Sequence, residues 1–139
     1  MKKIIIFLSI LVMMCALVAC GKEEKEKEEK EEYNEEQALE HDKKNCSSIK
    51  NCFNASMCVE DAYMEAVEES GSIIVSIDED GEITFTSSGS YTNIEDELEI
   101  SISSISDMNA PKEKGKSAYC ISWDASDRII SNIKVETVE

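Results

Sequence analysis

The sequence predicts an α+β domain in which one long N-terminal amphipathic helix packs on an antiparallel sheet of about four strands. Apolar and small residues recur at helical spacing from about Asn45 to Ser70, and after Gly71 the period changes to two. A sheet with one apolar face has to cover it, and the first helix is the only large amphipathic partner the chain offers. The 107 residues from Tyr33 to Glu139 suffice for one domain with a single core and fall short of two.

At the front of the chain, Lys2 and Lys3 precede an apolar stretch of 15 residues, Ile4 to Val18, and small Ala19 stands just before Cys20. This is the make-up of an export signal over residues 1–19. A bilayer-spanning helix needs about 20 apolar residues, so the stretch is short for an anchor. Residues 22–32, KEEKEKEEKEE, hold nothing a core could bury, so residues 20–44 are assigned to Cys20 and a charged Lys/Glu tether and 45–139 to the folded domain. Within the domain, Cys46, Ile49, Phe53, Ser56, Val59, Tyr63, Ala66 and Val67 share one helix face, with Lys50, Asn54 and Glu65 on the other. Gly71 is expected to close this helix in the left-handed conformation.

Ile73, Val75 and Ile77 then alternate with polar residues, as do Ile83 and Phe85 beyond the turn-like run Asp78, Glu79, Asp80, Gly81, which predicts a hairpin. Thr92 and Glu95 read as a capping box opening a short helix with Ile94, Leu98, Ile102 and Ile105 on one face. A strand competes there, because Leu98, Ile100 and Ile102 also alternate. Pro111 and Gly115 mark a polar loop. Two last alternating runs, Tyr119 to Asp124 and Ile129 to Val138, are expected to pair across Asp124, Ala125, Ser126 and Asp127. The strand isoleucines, Tyr119 and Trp123 are the expected core.

Without residues 1–19 the chain carries 12 basic and 30 acidic residues, a charge of −18. Nucleic acid and anionic head groups repel such a chain, so no nucleic-acid partner is expected. The acidity reads as spread along the chain, as a solvated surface requires. Arg128 is the only arginine, which limits bidentate recognition of phosphate to one position.

Four cysteines follow the tether: Cys46, Cys52, Cys58 and Cys120. Helical residues six apart lie about 9 Å apart along the axis and point to different sides, too far for a bridge. Cys120 is therefore the natural partner, with Cys52 and Cys46 nearer the apolar face, and one helix-to-sheet disulfide is expected against the alternative of buried free thiols. The cysteine spacing does not fit a structural zinc site, whose ligands come in pairs two to four residues apart. His41 stands alone among Glu40, Asp42 and Lys43, with no spaced ligand or nucleophile. Asp78, Asp80 and Gly81 resemble half of a calcium loop, but Ser76 and Ser87 occupy its first and closing positions. Asn54, Ala55, Ser56 matches a glycosylation sequon on a predicted helix, and Glu60 and Asp61 fit a solvated helix face. No catalytic residue, metal or cofactor is expected.

The run Leu17, Val18, Ala19, Cys20 resembles the lipobox of bacterial lipoproteins. That resemblance implies a diacylglyceryl group on the Cys20 thiol, which becomes the first mature residue, and a membrane location facing outside the cytoplasm. From about Asn45 to Glu139 the chain resembles the globular part of type IV pilins and pseudopilins, on the segments NCSSIKNCFNASMCVEDAYMEAVEESG, IIVSIDEDGEITF, YCISWD and IISNIKVETVE. The likeness implies a helical spine laid across a four-stranded antiparallel sheet, no enzymatic activity, and an envelope, pilus or secretion protein as partner. The chain departs from pilins at its front, where a signal and KEEKEKEEKEE stand in place of a prepilin peptidase site and a long hydrophobic packing helix. The expected function is thus a surface-exposed lipoprotein with a structural or protein-interaction role, the alternative being a small solute- or metal-ion-binding lipoprotein.

Overall fold

A computed structural model describes residues 34–139, in which three helices and four strands form an α+β domain whose compact unit is Ala38–Glu139. The export signal, Cys20 and the run KEEKEKEEKEE lie outside the described residues. The unit takes in residues 38–44, which the sequence assigns to the tether, because Asp42 is buried there.

Helix α1 occupies residues 34–56 and buries Ile49, Cys52, Phe53 and Ser56. The single helix expected to Ser70 breaks here. The hydroxyl of Ser56 donates to the carbonyl of Phe53 at 2.8 Å, the amides of Cys58 and Val59 bond three residues back rather than four, and Val59 is extended at φ −89°, ψ 124°. Serine back-bonding of this kind loosens a helix. Helix α2, Glu60–Glu68, restarts with Glu60 and Asp61 in its first turn, where carboxylates suit the helix dipole. The restart changes the phase of the apolar face: Ala62, Ala66 and Val67 are buried, whereas Val59 and Tyr63, expected beside them, are not.

Gly71 does not cap α2, whose C-cap Glu69 is extended; it opens strand β1, Gly71–Ile77. Its lack of a side chain is needed for packing, since a Cβ there would lie 2.3 Å from the Tyr91 hydroxyl and 2.7 Å from the Trp123 ring. Strand β2, Ile83–Ser87, returns antiparallel to β1 through the expected hairpin, in which the Asp78 carboxylate accepts the amides of Asp80 and Glu82 and Gly81 takes φ +84°. This is a self-contained Asx-type turn.

Helix α3, Thr92–Ser103, prevails over the competing strand because period-3.6 burial takes Ile94, Leu98 and Ile102 fully out of water and leaves Ile100 exposed at 67 %. The expected capping box does not form. Thr92 already lies inside the helix, no side chain of the N-cap Tyr91 contributes, and Glu95 instead meets the Ser87 hydroxyl. The cap comes from α2: Glu65 accepts the amides of Asn93 and Ile94 at 3.1 Å each and the Asn93 side-chain amide at 2.6 Å. A carboxylate there satisfies orphan donors and meets the positive end of the helix dipole.

Strands β3, Ala118–Ser126, and β4, Ile129–Val138, complete a sheet of order β2-β1-β3-β4, antiparallel throughout. Ile73, Val75, Ile77, Tyr119, Ile121 and Trp123 form its buried face, on which the helices pack. The last turn lies at Asp127 and Arg128, three residues past where the sequence places its start, with φ 53° and 61° as a two-residue hairpin turn of primed type requires. The strands can run on because a bulge opposite Trp123 absorbs one residue: Asn132 takes φ 51° and its side chain donates to Asp124 at 2.7 Å.

Two outcomes follow from these geometries. Glu65→Ala should lower stability to urea by about 1 kcal/mol while Thr92→Ala changes it by less than about 0.5, reversing the ranking a capping box implies. Arg128→Gly should raise the thermal midpoint, because glycine relieves a left-handed conformation that costs other residues about 1 kcal/mol.

Candidate functional site

The four cysteines of the domain are free thiols. The expected helix-to-sheet disulfide is not formed, and strand alternation supplies the reason. Tyr119, Ile121 and Trp123 point into the core, so Cys120 between them points to the opposite face, beside Ile74 and Glu136 in register. Cys46 and Cys52 lie on α1, on the core side of the sheet. Burial pushes the thiols of Cys46, Cys52 and Cys120 above their ordinary range, and neighbouring carboxylates add to this at Cys46 and Cys120. These are poor nucleophiles and poor metal ligands near neutral pH. Cys58, at the α1–α2 break, is exposed. Among the described residues, no three His, Cys, Asp or Glu side chains cluster as a metal site would.

A polar cluster that sequence spacing did not reveal joins the foot of α1 to the loop before β3. Asp42 is 1 % exposed, and its carboxylate accepts the amide of Lys112 at 2.8 and 3.1 Å and that of Glu113 at 2.9 Å. His41 Nδ1 lies 2.8 Å from the same carboxylate. One turn on, buried Asn45 donates to the Tyr119 hydroxyl at 2.9 Å, and that hydroxyl donates to the Asn109 carbonyl at 2.8 Å. Burial pushes the Asp42 carboxyl up, but the hydrogen bonds from His41 and from the two backbone amides outweigh it and hold the group below its ordinary value. Burial pushes the Tyr119 phenol up to about 12. A histidine–aspartate pair beside a tyrosine has the look of acid–base machinery, but a phenol this hard to ionise, already committed to a carbonyl, is a poor nucleophile. Chemically the cluster does one thing well: it ties the 104–117 loop to α1.

Another surface feature is an open cavity of about 260 Å³ between the β1–β2 hairpin and the end of α3. Ile77 and Ile102 form its buried floor; Ile83, Ile105 and Met108 line it half-buried, with Gly81 at the hairpin. Trp123, expected in the core, is 2 % exposed and belongs to it. Close to it, the Tyr91 hydroxyl is buried with no hydrogen-bond partner, held between the backbones of Gly71 and Gly89.

Asp42→Asn should cost about 1–3 kcal/mol, because an amide cannot replace a carboxylate that accepts from three donors. The depressed acidity of Asp42 also sets a sign for pH: its contribution is complete above the unfolded value near 3.8 and is lost as pH falls through the lower folded value. Acid titration of the folded fraction should therefore show a component below about pH 4 that the Asp42→Asn variant lacks.

Comparison of the chain with protein-family models, with curated proteins and with solved structures finds no match.

Proposed function

We propose that this chain is a lipoprotein, anchored in the cell membrane through Cys20 and facing outside the cytoplasm, whose acidic domain has a structural or protein-interaction role without catalysis. The observation that carries the reading is the run Leu17, Val18, Ala19, Cys20 directly behind two lysines and an apolar segment too short to span a bilayer comfortably. The arrangement that follows supports it. Residues 22–32 are all lysine or glutamate, and the compact unit begins at Ala38, so acyl chains, spacer and domain would follow one another along the chain. Among the described residues no helix is long and apolar enough to cross a membrane, which leaves anchoring to the N-terminal segment in this proposal.

The pilin-like reading of the domain is also a proposal. It draws support from the coarse arrangement alone, helices on one face of a four-stranded antiparallel sheet. The break at residues 57–59 and the insertion of α3 between β2 and β3 depart from a single spine laid over a sheet.

Metabolic labelling with palmitate tests the anchor. Label should enter the wild-type chain and the protein should fractionate with membranes, and both should be lost in Cys20→Ser. Label retained by Cys20→Ser would overturn the reading.

A further inference from the structure

Strand β4 is the last in the sheet, and among the described residues no strand pairs with its free side. Edge strands are ready templates for pairing, and native chains usually shorten, kink or charge them. β4 is kinked only in its first half. The bulge places 132 and 133 opposite Trp123, and from Lys134 to Val138 the register with β3 is unbroken. The Ser117 amide donates to the Val138 carbonyl at 2.8 Å, so Val138 faces β3, and alternation along the strand turns the amides and carbonyls of Val135 and Thr137 outward. The bond from the Ser88 amide to the Ser72 carbonyl, carried across β1 and β3, gives the same parity.

The apolar layer is unfinished at this edge. Val135 is in register with buried Ile121 and so points to the helix side, yet Ile130, Ile133 and Val135 are only half-buried, whereas Ile73, Val75 and Ile121 are fully buried. The two charged residues of β4, Lys134 and Glu136, are exposed on the opposite face, in register with Ser122 and Cys120. They stand on either side of Val135. A two-fold axis through Val135, normal to the sheet, runs two β4 strands antiparallel and sets Lys134 of each copy directly opposite Glu136 of the other. The backbone allows this register: outward-facing Val135 exchanges both bonds with its counterpart, which leaves Lys134 and Glu136 as the closer, non-hydrogen-bonded pair. Neighbouring registers fail. An axis at Lys134 or at Glu136 sets like charges opposite each other, one at Ile133 runs into the bulge, and one at Thr137 runs off the end of the strand. The other edge, β2, is five residues long with no charge to set a register, and Ser87 at its end is engaged by Glu95 of α3.

We propose that the free edge of β4 pairs with β4 of a second copy of this chain, centred on Val135, joining two four-stranded sheets into one of eight strands with the helices of both copies on the same face. The proposal goes beyond the anchor reading and does not depend on it.

Sedimentation equilibrium of the full chain in density-matched detergent tests the pairing. Contact over residues 133–137 is a small interface, so the wild type should show a monomer–dimer equilibrium in the micromolar range. Lys134→Glu alone, or Glu136→Lys alone, makes both charge pairs across the axis repulsive and should raise the dissociation constant by at least about tenfold. An equimolar mixture of these two variants sets opposite charges across the axis again and should associate within about threefold of the wild type, as should the double variant Lys134→Glu with Glu136→Lys. Val135→Pro removes an outward amide without touching a bond to β3 and should leave the chain monomeric. A wild type that stays monomeric up to about 1 mM, single variants that associate as the wild type does, or a mixture and a double variant that both stay monomeric would each overturn the proposal. Palmitate labelling bears on the anchor alone and self-association of the purified chain on the edge alone, so failure of either reading leaves the other standing.

Discussion

Trp123 is the residue through which the sheet holds its helices. Its indole N–H donates to the carbonyl of Ala66 at 2.9 Å, one of the last-turn carbonyls of α2 that has no partner within the helix. Its ring lies 5.1 Å from Phe53 of α1 and 5.0 Å from Tyr91 at the start of α3, and its backbone pairs with Gly71 of β1. One side chain thus touches all three helices from the middle of the sheet. The constraint runs outward from it. Gly71 has to be glycine to leave room for the Tyr91 and Trp123 side chains, and Tyr91, once held there, sets where α3 begins. Glu65 on α2 then reaches the amides of that new helix end, so the cap on α3 is a consequence of how the two helices pack.

A second set of contacts secures the opposite end of the domain. Asp42 and Asn45 on α1 hold the loop before β3 through backbone groups, and Tyr119 closes the arrangement from the sheet. Buried polar groups of this kind are costly unless every one is answered, and here the Asp42 carboxylate and the Asn45 amide are. The Tyr91 hydroxyl is the exception, and it sits where the aromatic packing is tightest. Lys112, Lys114 and Lys116 belong to the loop this clamp holds, at the end of the sheet where Val75 pairs with both Tyr119 and Phe85.

Much of the fold is legible where a period is unambiguous. The alternation of Ile73, Val75 and Ile77, the turn at Asp78–Gly81 and the helical stripe Ile94, Leu98, Ile102 each appear in the structure as read. The same alternation also bears on Cys120: with Tyr119 and Trp123 in the core, a residue of intermediate parity has to face away from the helices, so period alone argues against the bridge. The α1–α2 break is harder to read, because Ser56 at the end of an apolar stripe is compatible with both a continuous and an interrupted helix. The polar clamp is not legible at all. Asp42 and Asn45 meet residues 64 to 74 positions away, and no local spacing encodes such contacts.

The sequence by itself determined the order of helix, hairpin, helix and hairpin and the apolar faces that form the core. These are local properties, set by side-chain periodicity and by composition within a few turns of chain. Only the tertiary structure decided which carboxylate caps α3, where α1 ends and that Asp42 is buried rather than solvated. Each of those depends on groups far apart in sequence arriving at hydrogen-bonding or van der Waals distance, which packing around Trp123 and Tyr119 brings about. The open cavity belongs to the same class: Ile77 and Ile83 come from the hairpin, Ile102 and Ser103 from the end of α3, and Ile105 and Met108 from the turns that follow it.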